Sequence, residues 1–396
     1  MINSQARRLI VVSMISALAS SLSGIFVNTF LLRVNDDMIP IAAFNLSVYA
    51  SAALSFPLFG ACSKRFGAPG LQRLGILFQM AYLGGLLLFG RNIGHGIYLC
   101  GAMSGLSTAA GGIAGSCLTL AYTRSRDRSV FVSVSGTLTS VIAVISPLLS
   151  GFVIAGFAGL TGYYVTFGIS LGLYVICLLL SFWFRLPPSA AAFDFRKAFF
   201  HPSRASSLFN TIWTIIGVRE GLFGFLVSVM MFHIVKGEQL YGAATAVSKL
   251  IIVLTFFLCG KLIHYDGLLK SLRWSSWLMF LAPIPLFLFQ NEYGLAAQLL
   301  LDAVASPIVA VGVNSQTYNL LEQLSRGNRE EEAISVQSVW QNLGRAVGAG
   351  GFILLYSILS YPALLALALA INLCYVISYY LFRRIETTLN TTQEEV

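Results

Sequence analysis

Two adjacent charged residues, Arg219 and Glu220, stand in the middle of an apolar stretch that runs from Leu208 to Phe232. A helix needs about 20 apolar residues to cross a lipid bilayer, so this stretch can span one and both charges then lie near the midplane. A charge there costs about 3 kcal/mol on insertion scales, and such groups usually face a polar cavity or a charged partner. The pair therefore indicates ion or proton chemistry inside a membrane.

Three more charged residues, Lys249, Asp302 and Arg345, fall inside apolar runs of the second half of the chain. Arg219 and Glu220 are neighbours, so their side chains point about 100° apart on a helix and are poor partners for each other. The number of residues between a charge and the end of its apolar run indicates how deep in the membrane the charge lies. By this measure Glu220 and Arg345 lie at similar depths, as do Asp302 and Lys249, so we predict these two pairs. Arg219 is then left unpaired.

Two interpretations of the intramembrane acids stay open. In the first, Glu220 or Asp302 binds and releases a proton while the substrate competes for the same group, which couples proton movement to transport. In the second, the acids form fixed salt bridges that hold helices in register. Three cations against two acids leave one surplus positive charge, which would suit an anionic substrate unless Lys249 extends outward to the membrane surface.

Neutral polar residues extend this charged set. Gln341 and Arg345 are four residues apart and share one face of a helix, and we expect that face to line a cavity. The first half of the chain offers only neutral polar groups inside its apolar runs, with Asn28 among them. We therefore expect the first half to shape the substrate pocket and the second half to handle charge.

Composition places the chain among polytopic membrane proteins. Of 396 residues, 57% are hydrophobic and 10% are charged, and the mean hydropathy is +0.78, whereas soluble domains are about a quarter charged. The six cysteines and four histidines show no metal-ligand spacing, and there is no phosphate-binding GxxxxGK[ST] sequence. We expect no enzyme activity, no metal and no cofactor. The net charge of +9 reflects membrane topology and not nucleic-acid binding.

Apolar runs long enough to cross a bilayer recur along the whole chain. They lie at about 9–32, 41–62, 71–90, 96–122, 132–157, 163–184, 208–233, 240–260, 270–289, 293–318, 334–359 and 361–382. Only helices and closed barrels satisfy the backbone in lipid, and these runs lack the alternation of barrel strands. The chain is therefore predicted to be all-α, with twelve transmembrane helices.

The distribution of basic residues predicts the orientation. With twelve spans, 19 of the 25 lysines and arginines fall on the side of the N-terminus, which makes that side, and both termini, cytoplasmic. The longest connection on that side, 185–207, divides the chain into two six-helix bundles, 1–184 and 208–384, followed by a short cytoplasmic tail, 385–396. We expect a multi-pass protein of the plasma membrane, consistent with a bacterial inner membrane, surrounded by lipid and acting as a monomer.

The two halves echo each other at an offset of 200 residues, since Gly60 and Gly67 have counterparts in Gly260 and Gly267. Repeated six-helix halves with a site near the membrane midplane are a recurring plan of transporters. This pseudo-repeat predicts two related bundles.

With these features the chain resembles the major facilitator superfamily. In that family the turn after the second helix reads G-x-x-x-D-[RK]-x-G, and here the stretch is Gly60-Ala61-Cys62-Ser63-Lys64-Arg65-Phe66-Gly67. The glycines and Arg65 match, but Lys64 replaces the family's acid, which helps to close the cytoplasmic side by pairing with basic groups. Our hypothesis is that Asp127 supplies the missing acid to Lys64 or Arg65.

The resemblance implies a secondary transporter that works by alternating access and moves a small-molecule substrate. Exporters of the family often carry G-P-x-x-G-G on helix five, and here Pro147 and Gly151 match that pattern. We expect export of a small, partly hydrophobic compound in exchange for protons. The alternatives are proton-coupled uptake of a small anionic solute, and a lipid flippase or a membrane receptor that does not transport.

Overall fold

The computed structural model describes residues 4–35, 39–90, 93–94, 96–157, 159–187, 193–200, 203–234, 238–263, 267–324, 330–356, 358 and 361–394. Across these residues the secondary structure is helical, and no strand occurs among them. The all-α prediction is therefore confirmed.

The helices are named here in chain order. They are α1 Ser4–Asn35, α2 Ile39–Phe89, α3 Gly96–Tyr122, α4 Ser125–Ala155, α5 Thr161–Leu180, α6 Phe195–Phe200, α7 Arg204–Ile234, α8 Glu238–Leu262, α9 Leu268–Leu281, α10 Ile284–Phe289, α11 Glu292–Leu324, α12 Glu330–Tyr356, α13 Tyr361–Ile371 and α14 Leu373–Glu394. A single 3-10 turn, Ser181–Trp183, extends α5.

Each predicted span corresponds to one of these helices, to part of one, or to two consecutive helices. Within the described residues, eight stretches are long and apolar enough to cross a membrane, and one of them, Phe44–Phe89, has 46 residues and covers two predicted spans. The three predicted spans outside those stretches coincide with α7, α8 and α12. The polytopic membrane class is confirmed, and twelve crossings are consistent with this arrangement.

Three predicted boundaries or spans differ in detail, each for a local reason. Helix α2 joins the second and third spans and breaks only at Gly67, where φ is 74° and ψ is 157°. The span 270–289 is split into α9 and α10 at Pro283, because proline lacks the N–H of a continuing helix and clashes with the preceding turn. The last span is split at Asn372, between α13 and α14.

Two compact units divide the chain. The first contains residues 1–124, 138–195 and 325–339. Its core is built from α1, α2, α3 and α5, and Phe30 and Phe167 pack there edge to face with ring centroids 5.5 Å apart. The hydroxyl of Ser150 on α4 donates to the carbonyl of Leu22 on α1 over 3.1 Å.

The second unit contains residues 125–137, 196–324 and 340–396. Helix α11 packs against α8 and α9, and α14 packs against α7 and α9. The beginning of α4 lies against α8, where a Cβ built on Gly136 would meet the ring of Phe256. Helices α4 and α12 thus each contribute residues to both units, and the division at 185–207 into two six-helix domains stays a prediction.

Replacing Gly67 with alanine is expected to lower the free energy of unfolding by about 1–3 kcal/mol, because its backbone conformation is essentially confined to glycine. The thermal unfolding midpoint of the purified protein in detergent, followed by tryptophan fluorescence, measures the effect. Gly84→Ala on the same helix is the matched control, since a Cβ there meets nothing within 4 Å. Equal midpoints for the two variants would contradict the assignment of the break to Gly67.

Candidate functional site

Helices α7 and α12 cross almost backbone to backbone through glycines on both sides. A Cβ built on Gly221 would collide with the main chain of Arg345, and one on Gly344 would lie 2.9 Å from the backbone nitrogen of Val218. Gly348 continues the contact, since its Cβ would lie 2.9 Å from the nitrogen of Leu222. Small residues spaced in this way let membrane helices approach closely. The crossing fixes the charged residues of α7 against those of α12.

Glu220 and Arg345 form an ion pair at this crossing, as the depth comparison predicts. The Arg345 Nε donates to Glu220 Oε2 over 2.8 Å, and Gln341 Nε2 donates to the same oxygen over 3.1 Å. The guanidinium also donates through Nη1 to Oδ1 of the buried Asn342 over 3.4 Å. Gln341 and Arg345 therefore share a face, and that face holds the carboxylate of Glu220.

Arg219 has partners, so the expectation that it is unpaired was wrong. Its Nε donates to Asn372 Oδ1 over 3.1 Å, and its guanidinium carbon lies 4.1 Å from the ring centroid of Phe223 and 5.1 Å from that of Tyr375. An amide oxygen and two aromatic faces stabilise the cation. The depth comparison considered only acids as partners and could not find these neutral groups.

Among the residues that the structure describes, Asp302 and Lys249 do not form a direct ion pair. The prediction of this pair was therefore wrong. Lys249 and Arg219 are the cations whose charges act on the Asp302 carboxylate. The charges of Arg219, Glu220 and Asp302 all act on Tyr375 as well. Asp302 thus belongs to the polar cluster of Arg219 and Tyr375, with Lys249 as a neighbour.

Asn28, predicted to contribute to the pocket from the first half, lies on α1. Its side chain is outside the described residues, and its role stays a prediction. The five intramembrane charges, by contrast, all have described side chains, and all lie in the second unit.

The turn that contains the predicted gating residues is built around a buried ion pair in the first unit. Lys64 Nζ donates to Glu332 Oε1 over 2.9 Å, and the side chains are 5% and 6% exposed. Gly60 allows the close approach of α12, because a Cβ there would collide with Ser335. The exposed Arg65 lies 5.6 Å from the ring centroid of Phe66.

Glu332 is an acid partner of Lys64, and the hypothesis that Asp127 serves Lys64 or Arg65 stays a prediction. The side chain of Asp127 is outside the described residues. Its neighbour Arg128 is 2% exposed and pairs with Glu322 on α11 over 2.8 Å, and Asn319 also accepts from it over 3.2 Å. A second buried charge therefore secures the first turn of α4 within the second unit.

No protein-family model matches the chain. The uncharacterized protein YqgE of Bacillus subtilis (strain 168) is 28% identical over 364 residues, which are 90% of this chain and 83% of that protein. An uncharacterized protein in the sodM 3′ region of Geobacillus stearothermophilus is 30% identical over 151 residues, which are 38% of this chain and 71% of that protein. The chain and the Geobacillus protein belong to one family.

Solved structures match over nearly the whole chain. The human organic anion transporter MFSD10 (TETRAN) has a TM-score of 0.74 at 16% identity and covers 96% of this chain and 100% of its own. A bacterial homologue of the iron transporter ferroportin in the outward-facing state has a TM-score of 0.76 at 16% identity, with coverages of 97% and 100%. FucP, a Major Facilitator Superfamily transporter in the outward conformation, has a TM-score of 0.72 at 12% identity, with coverages of 97% and 99%.

The chain has the fold of the major facilitator superfamily. The resemblance seen in the glycines of the 60–67 turn is confirmed at the level of the fold. Glu220 with its partner Arg345, and Arg219 with its partner Asn372, leave α7 in different directions. The two adjacent residues Arg219 and Glu220 thus serve two separate polar networks.

Several residues of these networks escaped the sequence analysis. Asn372 and Tyr375 lie in the last apolar run, which has no charged residue at its centre. The single asparagine inside that run was the available signal. Glu332 is one of three consecutive acids, Glu330-Glu331-Glu332, and the sequence does not reveal that its side chain is buried.

Gly344→Ala should destabilise the protein by about 1–3 kcal/mol, because a methyl group at the crossing forces backbone atoms of α7 to move. Gly350→Ala on the same helix is the matched control, since nothing lies within 4 Å of its Cβ. Unfolding in mixed micelles of increasing sodium dodecyl sulfate content measures the difference. The crossing would be misplaced if the control lost as much stability.

A double-mutant cycle with Glu220→Gln and Arg345→Met is expected to give a coupling free energy of about 1 kcal/mol, within the range found for residues in contact. The pair is about one-quarter to one-third exposed, so the coupling is smaller than for a fully buried pair. Unfolding free energies in mixed micelles provide the four corners. Combining Arg345→Met with Glu386→Gln, whose carboxylate accepts from Gln316 instead, should give additive effects. Additivity in both cycles would argue against the ion pair.

Proposed function

We propose that the chain is a secondary transporter that works by alternating access and exports a small, partly hydrophobic compound in exchange for protons. The observation that carries the proposal is the presence of Arg219, Lys249 and Asp302 inside apolar helices of a transporter fold. Ionisable groups at membrane depth are costly and generally mark pathways for ions, protons or substrate. Export is supported by the partial match of Pro147 and Gly151 to the exporter motif.

Asp302 is the acid that we assign to proton exchange. Glu220 is held by Arg345 at 2.8 Å and by Gln341 at 3.1 Å, so two donors on α12 already engage its carboxylate. Asp302 has no direct ion pair within the described part of the chain, and the charges of Arg219 and Lys249 still act on it. A proton on Asp302 therefore changes the local charge without breaking a direct salt bridge. We assign Glu220 to holding α7 against α12.

A change in the protonation of Asp302 can affect neighbouring helices through Arg219. Arg219 on α7 donates to Asn372 between α13 and α14, and it lies against the ring of Tyr375. When Asp302 is neutral, the balance of charge on Arg219 changes, and its contacts with α14 respond. This provides a physical route from proton binding to helix rearrangement.

Uptake of a small anionic solute is the second candidate. It is supported by the surplus of one positive charge, since Arg219, Lys249 and Arg345 face two acids. A carboxylate on the substrate would complete the balance near Arg219. In both versions the protein acts as a monomer in the plasma membrane, with both termini in the cytoplasm.

The test is reconstitution of the purified protein into liposomes that contain a pH-sensitive dye. Under an imposed pH gradient, a panel of partly hydrophobic amines, neutral compounds and small carboxylates is added, and proton flux is recorded. We expect flux on addition of at least one compound, and Asp302→Asn should reduce the compound-driven flux by about tenfold or more, because the amide cannot bind a proton reversibly.

A control variant and the chemistry of the active compounds make the result interpretable. Glu220→Gln should retain compound-driven proton flux once corrected for the amount of folded protein. Flux that responds only to carboxylates would favour the anionic solute over the hydrophobic compound. Undiminished flux in Asp302→Asn would contradict the assignment of this acid, and absence of flux with every compound would contradict proton-coupled transport.

A further inference from the structure

The ion pair of Lys64 and Glu332 suits the ends of the two helices that carry it. Lys64 lies in the last turn of α2 before the break at Gly67, and Glu332 lies in the first turn of α12. The helix dipole favours cations near a C-terminal end and anions near an N-terminal end. A lysine in place of the usual acid at position 64 therefore has a physical reason, since its acid sits at the favourable end of the opposing helix.

A short part of the connector after α5 lies directly on this ion pair. The backbone N–H of Asp194 donates to Glu332 Oε1 over 3.0 Å, the same oxygen that accepts from Lys64. The ring of Phe193 has its centroid 5.7 Å from Lys64 Nζ. Phe195 packs on Phe193 with ring centroids 4.6 Å apart. The connector thus contributes a hydrogen bond to the anion and an aromatic face to the cation.

Phe193 also packs against Gly60, which lies one helical turn before Lys64. A Cβ built on Gly60 would lie 2.7 Å from Cε2 of Phe193, so the ring fills the position opposite this glycine. The side chains of Lys64 and Glu332 are 5% and 6% exposed. A buried ion pair gains little unless additional hydrogen bonds satisfy its charged atoms. Residues 193–195 supply such a bond and help to exclude water.

We propose that residues 193–195 form a strap that holds the first turns of α12 against α2 by completing the buried pair of Lys64 and Glu332. Phe193 and Asp194 are positioning residues that act through this pair. Removal of the strap leaves the carboxylate of Glu332 with one fewer donor and opens the pair to water. The beginning of α12 then separates more readily from the first unit.

The strap has a consequence for transport, and this part rests on the proposed alternating access. Helix α12 contributes residues 325–339 to the first unit and residues from Trp340 onward to the second. Arg345, which holds Glu220, therefore follows the strapped segment on the same helix. A transporter that rearranges α12 has to release the strap in each cycle, so the strap sets how long the arrangement seen here persists.

Hydrogen–deuterium exchange of the full-length protein in lipid nanodiscs tests the strap without a known substrate. Asp194→Pro removes the N–H donor, and Asp194→Ala is its matched control because it keeps that N–H. Backbone amides at 331–339 should exchange about tenfold faster in the proline variant than in the alanine variant, as expected for the loss of one hydrogen bond to a charged group. Phe193→Ala should also accelerate exchange there, and amides in 163–175 of α5 serve as the internal reference.

A double variant in which the two charged residues are swapped, Lys64→Glu with Glu332→Lys, tests the ion pair itself; we call it the exchanged variant. This variant reverses the favourable dipole arrangement, and the Asp194 N–H no longer faces an anion, so exchange at 331–339 should stay faster than in the parent protein. Equal exchange in Asp194→Pro and Asp194→Ala, or full recovery of protection in the exchanged variant, would overturn the strap.

Proton-flux measurements on the same variants separate this inference from the proposed function. If exchange at 331–339 rises in Asp194→Pro and compound-driven flux changes relative to Asp194→Ala, both the strap and its release during transport are supported. If exchange rises but the parent protein gives no flux with any compound, the strap stands and proton-coupled transport fails. If flux is normal in both variants while exchange differs, release of the strap does not limit transport and the second part of the proposal is overturned.

Discussion

Charged side chains among apolar helices have to find their partners within the protein, because lipid offers neither water nor hydrogen-bonding groups. This constraint explains the environment of α7. Glu220 receives two donors from α12, and Arg219 binds an amide oxygen where α13 and α14 meet. Since the two side chains leave the helix in different directions, one short sequence ties α7 to two neighbours.

The glycines at the crossing of α7 and α12 make the first of these contacts possible. A short distance between the helix axes is needed for the Arg345 side chain to meet Glu220 at 2.8 Å, and Gly221 and Gly344 remove the side chains that would prevent it. In the function that we propose, this pair has a structural role. Asp302, without such a direct contact in the described part of the chain, is then the carboxylate available for proton exchange in the function that we propose.

The same constraint acts where helices end. Lys64 and Glu332 in the first unit, and Arg128 and Glu322 in the second, place buried ions at the beginnings of α12 and α4. These two helices are also the ones that contribute residues to both units. In each case an ion pair secures the first turns of a helix whose remainder belongs to the other unit.

The sequence by itself determined the class, the all-α architecture and the fold, because apolar runs of bilayer length admit few structures and the glycines of the 60–67 turn carry the resemblance. The position of each charge along its apolar run also predicted the pair of Glu220 and Arg345, since residues at similar depths in the membrane can meet. It could not find Asn372, Phe193 or Glu332 as partners, because a helical repeat does not tell which neighbouring element a side chain meets. Only the tertiary structure decided those contacts, since they depend on helix rotation, on breaks such as Asn372, and on where a connector lies.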